Sequence, residues 1–365
     1  MNYSYEEKIC ILFGDKALTA RKFYALLKRY GSVKGIVDNF FNNQTVENIV
    51  GEQYRTLCAD LKSGQYDKLI ENMEQNDVYA ITYLSPSFPN LLKEIDDPPY
   101  ILFCRGNAEL LNTRCLAVVG TRKVSSYGRR IATDFTAILC DHFTIVSGLA
   151  YGVDSIAHET TLKNNGKTIA VLGGGLINVY PAAHQNLAER ILQSGGLLLT
   201  EYGMNAIPMT YNFPHRNRIV SGLCDGLLVC QAPLKSGTAS TVDCALNQGR
   251  DVFVVPGEIY DVGFSGSNSY IKSMQGVCVT TPRDIEEYYR LNDKHKGAVN
   301  SGIQLDFDEQ KIVEALSVGQ LTFDKLVEVT GLAPAYLNFL LANLEIKSII
   351  AKLPGNSYRL YGGLK

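Results

Sequence analysis

Between Cys115 and Thr280 the chain repeats one pattern, in which a short apolar strand runs into a glycine-, serine- or arginine-bearing loop that opens a helix. The loops read VGTRKVSSYG (119–128), SGLAYGVDSIAH (147–158), LGGG (172–175), FPHRNRIVSGL (213–223), KSGTASTVD (235–243) and VPGE (255–258). This alternation predicts an α/β fold with a doubly wound sheet. Such sheets bind ligands outside the carboxyl ends of their strands, so we expect all of these loops at one edge.

The predicted strands of this sheet follow the apolar stretches. They lie at 115–119, 143–147, 168–172, 197–200, 227–231, 251–255 and 277–280. Upstream, the proline-punctuated segment 79–106 predicts short strands that line the edge of the sheet.

Composition places the chain among soluble globular proteins, because 46% of its 365 residues are hydrophobic and 20% are charged. No segment approaches the ~20 apolar residues of a membrane span, and the start, MNYSYEEKIC, lacks the apolar core of a secretory signal. Nine cysteines occur singly, without CxxC pairs, which fits a reducing cytoplasm and argues against a zinc site. The net charge of −2 means that nucleic-acid binding needs a local basic patch.

Four segments are predicted along the chain. Residues 1–75 show helical spacing, with Gly31 ending one helix, and resemble a small helix-hairpin-helix or SAM-like domain. Residues 76–290 form the α/β domain, and the polar segment 291–304 is a linker. Residues 305–365 predict three helices and two strands around a Pro-Gly-Asn turn, which is a winged helix.

The predicted winged helix has few side chains suited to reading a DNA groove. Its predicted recognition helix, PAYLNFLLANLEIKS, carries Lys347 but no arginine. Major-groove readers need several cations and amides, so the sequence favours a protein-docking or regulatory module.

Two loops are the first candidates for anion binding. Gly120, Thr121, Arg122 and Lys123 precede a helix predicted to start near Ser125 or Ser126, where free amides and cations attract phosphate. The alternative is a tight turn whose arginine covers the sheet edge.

For the turn that contains Ser147 and Gly148, the sequence supports an anion site and a purely structural turn equally. Asp154 or Ser155 is expected to cap the following helix, and that structural role alone explains the motif. His158 is expected to be a packed or capping histidine.

The segment after the fourth predicted strand is the most unusual one. Arg216, Asn217 and Arg218 follow Tyr211 and Phe213, and arginine forks grip phosphates while aromatic rings stack on bases. The alternative is an internal salt-bridge cluster with Glu201 or Asp225, and we expect one of the two arginines to be structural.

A further anion nest is predicted at Lys235, Ser236, Gly237 and Thr238, where hydroxyls and amides begin a helix.

The later loop 257–269 carries Phe264, which we expect to be exposed and to serve, like Phe213, as a stacking surface. That loop is either a lid or an ordinary surface loop.

Motifs for nucleotide binding and catalysis fail on inspection. Asn178 stands where the third glycine of a dinucleotide fingerprint belongs, and Thr161 stands where a P-loop begins. GxSxG and HExxH are absent, and the carboxylates near the loops form no evident pair. We therefore expect no catalytic residues, no cofactor and no metal.

Taken together, these segments resemble the DprA/Smf family of DNA-processing proteins. The matching runs are VVGTRKVSSYG, IVSGLAYGVDSIAH, TIAVLGGGLINVYP, FPHRNRIVSGL, KSGT and VFVVPGE, which span roughly residues 80–290. The resemblance implies an extended Rossmann-like domain that binds and protects single-stranded DNA without hydrolysing nucleotide. It also implies a homodimer that loads RecA during natural transformation. By motif position, it implies DNA contacts at Arg122, Arg216, Arg218, Lys235 and Ser236.

Two departures from the family pattern fall in one loop. Gln231 stands where the family usually has glutamate, and Thr238 keeps a hydroxyl where it usually has serine. A rival function remains open, that of a nucleotide phosphoribohydrolase on a related α/β architecture, with Glu201 or Glu258 as its carboxylate.

Overall fold

The computed structural model describes residues 3–291, 306–317, 319–346, 349–353 and 356–360. It divides into two compact units, Met1–Leu291 and Asn292–Lys365. All of the predicted linker except Leu291 lies outside the described residues, as do Lys347 and the Pro354-Gly355 part of the predicted turn. The four-segment division made from the sequence stays a prediction.

The first unit begins with helices, as the sequence predicts. They are α1 (Tyr5–Asp15), α2 (Ala20–Tyr30), α3 (Val33–Asp38), α4 (Gln44–Val50), α5 (Tyr54–Ser63) and α6 (Gln65–Gln75). Ser4 and Glu7 form a capping box that starts α1. Gly31 ends α2 as predicted, at a φ of 79° that side chains rarely adopt.

These helices pack directly onto the sheet that follows them in the chain. The ring of Phe23 stacks on that of Tyr100, with centroids 4.0 Å apart, and the Tyr100 hydroxyl donates to the carbonyl of Leu18 at 2.8 Å. One buried apolar cluster therefore joins α1 and α2 to strand residues such as Phe103 and Leu198.

The sheet has nine strands, and the seven predicted between residues 115 and 280 are confirmed. They are β1 (Tyr79–Thr82), β2 (Ile101–Gly106), β3 (Cys115–Gly120), β4 (Thr144–Ser147), β5 (Thr168–Val171), β6 (Leu197–Thr200), β7 (Gly226–Gln231), β8 (Asp251–Val254) and β9 (Val277–Cys278). Their order is β1-β2-β6-β5-β4-β3-β7-β8-β9. Strands β3 to β9 pair in parallel, whereas β1 and β2 form the antiparallel edge expected for segment 79–106.

Helices cover both faces of this Rossmann-like sheet. They are α7 (Asn90–Lys93), α8 (Ser126–Leu139), α9 (Val153–Lys163), α10 (Gln185–Gln193), α11 (Asn212–Gly222), α12 (Gly237–Asn247), α13 (Ser265–Lys272) and α14 (Pro282–Tyr288). Alternate residues of β3 face opposite sides, so Val118 joins the cluster under α8 while Val119 joins the cluster under α11 and α12. Burial on both faces explains why the strands read as continuous apolar runs.

The second unit is the predicted winged helix. Its elements are α15 (Phe307–Ser317), β10 (Leu321–Thr322), α16 (Phe323–Thr330), α17 (Pro334–Ile346), β11 (Ile350–Leu353) and β12 (Ser357–Leu360). The strands form an antiparallel sheet in the order β10-β12-β11. Its own buried cluster includes Ile312, Leu326 and Leu341. Among the helices that the structure describes in either unit, none is long and apolar enough to cross a membrane.

Candidate nucleic-acid interface

The strand order reverses direction at β3, which lies between β4 and β7, and the loops after β3 and β7 meet there. The amide of Thr121 donates to the carbonyl of Gln231 at 2.8 Å. The Gln231 side-chain oxygen accepts from the amide of Ser125 at 2.9 Å, so Gln231 joins the two loops through its side chain as well as its backbone. Ligands of doubly wound folds bind at such a switch point. We call residues 120–125 and 231–238 the switch-point crevice.

The β3 side of the switch-point crevice presents cations on a tightly packed turn. Arg122 and Lys123 are exposed. The helix α8 begins at Ser126, as the sequence predicts, and the Ser125 hydroxyl caps it by accepting from the amide of Gly128. Gly120 is required because a Cβ there would lie 2.5 Å from Val153. The guanidinium of Arg122 lies 5.9 Å from the ring centroid of Phe213, which brings α11 to the same surface.

The β7 side presents the first turn of α12. Lys235 and Gly237 are exposed, whereas Thr238 is buried. Ser236 precedes the helix but makes no capping hydrogen bond, and its hydroxyl has no hydrogen-bond partner among the described residues. The amides of this first turn thus lack a side-chain acceptor, which suits an anion.

Ser147 and Gly148, in contrast, already have hydrogen-bond partners within the protein. The Ser147 hydroxyl donates to the carbonyl of Val118 at 2.7 Å, and the Gly148 amide donates to Asp154 at 3.1 Å. The expected cap at Asp154 or Ser155 was wrong, because Gly152 precedes the first residue of α9. Asp154 instead accepts from loop amides, including that of Ala150 at 3.3 Å, and its burial raises its pKa.

Arg216 lies beneath the surface and not on it, with only 4% of its area exposed. Its guanidinium donates to the carbonyl of Val171 and packs against Gly148, where a Cβ would lie 2.3 Å away. Burial lowers the pKa of Arg216 to about 10. This side chain fixes α11 to the carboxyl ends of β4 and β5.

Arg218 adopts the internal salt-bridge cluster that the sequence left open as an alternative. It pairs with the carboxylate of Glu201, and it donates to the backbone carbonyl of Asp97 at 2.6 Å. Its Nε lies 3.4 Å from the Asp97 carboxylate. The other suggested partner, Asp225, pairs instead with Arg114 at 3.3 Å.

Two neighbours of these arginines also have internal partners. Asn217 donates to the hydroxyl of Ser240 at 2.8 Å, which ties α11 to α12. His215, which sequence reasoning did not single out, lies 3.2 Å from Asp97 and 3.0 Å from Glu201. Its hydrogen bonds with Asp97 and then Glu201 raise its pKa to about 9. The sequence suggested Glu201 as a partner of this segment, but no local signal identifies Asp97, which is distant in the chain.

Aromatic rings at the start of α11 lie beside the cationic loop that carries Arg122. The rings of Tyr180 and Phe213 lie 5.5 Å apart, with Tyr180 52% exposed, Tyr211 71% exposed and Phe213 half-buried. We call Tyr180, Tyr211 and Phe213 the aromatic platform. The expectation of an exposed Phe264 was wrong, because its ring is fully buried against Gly257 and Tyr127.

His158 is the remaining titratable candidate, and it lies in the core of the α/β domain. His158 is packed, as expected, with Nδ1 2.7 Å from the hydroxyl of Thr168, and burial lowers its pKa to about 3. Within the described ranges, no group of three His, Cys, Asp or Glu residues is arranged to hold a metal ion.

Comparison with known families matches both units. The family model described as DNA recombination-mediator protein A matches residues 79–290. A second model, described as the DprA winged helix domain, matches residues 298–356.

Individual proteins show the same similarity. Protein Smf of Escherichia coli is 38% identical over 297 residues, which cover 79% of each chain. The DNA processing protein DprA of Streptococcus pneumoniae is 40% identical over 206 residues, covering 56% of this chain and 72% of that protein.

Two solved structures are also similar. An X-ray structure of DNA processing protein A from Streptococcus pneumoniae aligns with a TM-score of 0.65 at 32% identity, covering 79% of this chain and 98% of that one. A structure of DNA processing protein A from Helicobacter pylori, solved to explain its single-stranded DNA binding mode, aligns with a TM-score of 0.52 at 28% identity. That alignment covers 58% of this chain and 95% of the other.

Proposed function

Because this chain belongs to the DNA recombination-mediator protein A (DprA/Smf) family, we propose that it is a cytoplasmic protein that binds and protects single-stranded DNA. In the same proposal it loads RecA onto that DNA during natural transformation or recombination, acts as a homodimer and catalyses no reaction. The single-stranded DNA binding mode described for the similar Helicobacter pylori protein supports the choice of ligand.

The observation that carries the proposal is the meeting of two cationic loops beside exposed aromatic rings. Arg122 and Lys123 on one side and Lys235 on the other flank the switch-point crevice, and the aromatic platform borders it. Cations that follow a backbone, next to rings on which bases stack, are the two components of sequence-tolerant single-strand binding.

The proposed contacts divide by exposure. Arg122 grips a phosphate with its planar fork, and Lys235 and the amides that begin α12 hold a second phosphate. Bases stack on the aromatic platform. Arg216 and Arg218 hold α11 in place from below, because both are buried with internal partners, and we assign them no DNA contact. Among the predicted contacts, Ser147, Gly148 and Asn217 likewise act through packing.

The geometry gives the rival phosphoribohydrolase little support. Glu201, one of its two candidate carboxylates, is already paired with Arg218 and in contact with His215. Glu258, the other, is exposed on a shallow pocket beside Tyr127. Release of free base from nucleoside monophosphates would nevertheless establish that activity and overturn the non-catalytic assignment.

The test is a fluorescence-anisotropy titration of an oligothymidylate with the double variant Arg122→Ala, Lys235→Ala. We expect affinity to fall by at least about tenfold at moderate salt, because two phosphate contacts are lost. The matched control is Lys62→Ala, Lys68→Ala, which removes the same charge from exposed positions of α5 and α6. Equal affinity of the two double variants would contradict the proposed interface.

A further inference from the structure

A charged cluster at the start of α11 links the aromatic platform to two distant segments. His215 is two residues beyond Phe213 and directly precedes Arg216. Its imidazole reaches Asp97, which precedes β2, with Nε2, and Glu201, which follows β6, with Nδ1. One side chain therefore connects the helix that carries Phe213 to both segments.

The charges in this cluster balance only when His215 is protonated. Two carboxylates, Asp97 and Glu201, face two cations, Arg218 and His215. When His215 is neutral, Arg218 alone within the cluster opposes the negative charge of both carboxylates. The side chain of one of them, Glu201, is only 9% exposed. Uncompensated carboxylate charge at the first turn of α11, the turn that carries Phe213, would repel DNA phosphates bound there.

Other groups surround the cluster: the charge of Arg21, which helps to lower the pKa of Asp97, is matched by that of the exposed Asp96, and two nearby tyrosines are neutral. The hydroxyl of Tyr202 lies 3.3 Å from the His215 Nδ1, and burial raises the pKa of Tyr202, so it stays neutral. From α2, Arg21 and Tyr24 line the same pocket as Asp96 and Asp97. Burial raises the pKa of Tyr24 to about 12, which keeps it neutral as well. Asp96 adds another exposed negative charge.

We propose that His215 is a positioning residue for single-stranded DNA binding, which fixes the first turn of α11 and neutralises the Asp97 and Glu201 carboxylates beside the aromatic platform. The inference rests on the proposed function and goes beyond it, because it assigns the affinity a dependence on one side chain that touches no DNA.

The direction of the pH effect follows from the raised pKa. In the folded chain His215 is charged up to about pH 9, whereas an unfolded histidine titrates near its ordinary value of 6.5. The stabilising contribution is therefore complete below about pH 6.5 and is lost as the pH rises through about 9. DNA binding should weaken over the upper part of that range.

The experiment compares wild type, His215→Gln and His215→Lys by anisotropy with an oligothymidylate at about pH 7.5, 8.5 and 9.5. We expect His215→Gln to bind about fivefold more weakly than wild type at the lowest pH, with little change at the two higher values. Wild type should approach His215→Gln at the highest pH. His215→Lys should keep, at all three pH values, an affinity near that of wild type at the lowest pH, because lysine remains charged there.

The lysine variant separates charge from packing, since a purely structural role for the ring is not restored by an ammonium group. Affinity of His215→Gln equal to wild type at the lowest pH would overturn the inference while leaving the proposed function intact. A lysine variant that weakens in parallel with wild type would overturn it as well. Absence of DNA binding by wild type itself would overturn the proposed function.

Discussion

The guanidinium of Arg122 lies 5.9 Å from the ring centroid of Phe213, within the range of a cation–π contact. This contact joins the loop after β3 to the first turn of α11. It brings a phosphate-binding group and a base-stacking group to one place, although they are far apart in the chain. Replacing either group, or the residues that support them, should therefore have separable effects on binding and on folding.

Arg122 and Arg218 should fail in different ways when replaced by alanine. Arg122→Ala should weaken DNA binding several-fold with an unchanged melting temperature, because Arg122 is exposed. Arg218→Ala should cost about 3 kcal/mol of folding free energy, because it removes one of the two cations that pair with the buried Glu201 carboxylate. Anisotropy and urea unfolding distinguish the two, and equal unfolding free energies for both variants would contradict the assignment.

Phe213 and Phe264 form a second contrasting pair. Phe213→Ala should lower affinity roughly tenfold, since base–aromatic stacking contributes about 1–3 kcal/mol per base. Phe264→Ala should instead destabilise the fold by about 4 kcal/mol, because the ring is fully buried. The measurement is DNA titration of each variant after its folded fraction is determined by circular dichroism. A stable Phe264→Ala protein with weak DNA binding would reverse the two roles.

Replacing Lys235 should change how steeply the DNA affinity falls with salt concentration. Each phosphate contact on a single strand contributes about 0.7 to the slope of log affinity against log salt. Lys235→Gln should therefore flatten that slope by about this amount, whereas Lys68→Gln should leave it unchanged. A slope that is identical in wild type and Lys235→Gln would remove Lys235 from the interface.

Two glycines test the packing beneath the crevice. Gly148→Ala places a methyl group 2.3 Å from the buried Arg216 guanidinium and should cost about 2 kcal/mol of stability. Gly237→Ala meets no atom within 4 Å and should be tolerated. Thermal melts of both variants provide the comparison. Equal melting temperatures would mean that Arg216 does not pack where the structure places it.

Local chemistry explains why the strands were predictable from the sequence. Strands β3 to β8 of the parallel sheet are buried on both faces, so each appears as a continuous apolar run bounded by glycine-rich turns. The start of α8 at Ser126 was equally local, because its cap, Ser125, immediately precedes it. The carboxyl-edge position of the loops then follows from the parallel order of the strands.

The roles of the two arginines in α11 were not predictable, because they depend on residues elsewhere in the chain. Arg216 and Arg218 look alike in the sequence, and both are buried. Their partners come from β5, from the segment before β2 and from the residue after β6. Sequence reasoning offered Glu201 as an internal salt-bridge partner and expected one arginine to be structural, but it did not identify which arginine pairs with Glu201, nor that both are buried.

The small and polar neighbours of Phe264 in the sequence led to a wrong prediction of its exposure. It stands among glycines and serines and therefore looks like an exposed loop residue. The ring turns inward because Gly257 has no side chain to occupy that space, and a Cβ there would lie 2.0 Å from the ring. The aromatic platform is built instead from Tyr180, Tyr211 and Phe213, of which the sequence pointed to Tyr211 and Phe213 but not to Tyr180.

The most direct test is a crystal structure of this chain bound to a short oligothymidylate. We expect one phosphate within hydrogen-bond distance of Arg122, a second at the amides that begin α12, and at least one base stacked on the aromatic platform. DNA bound on another face of the molecule, with the switch-point crevice empty, would contradict the proposed interface.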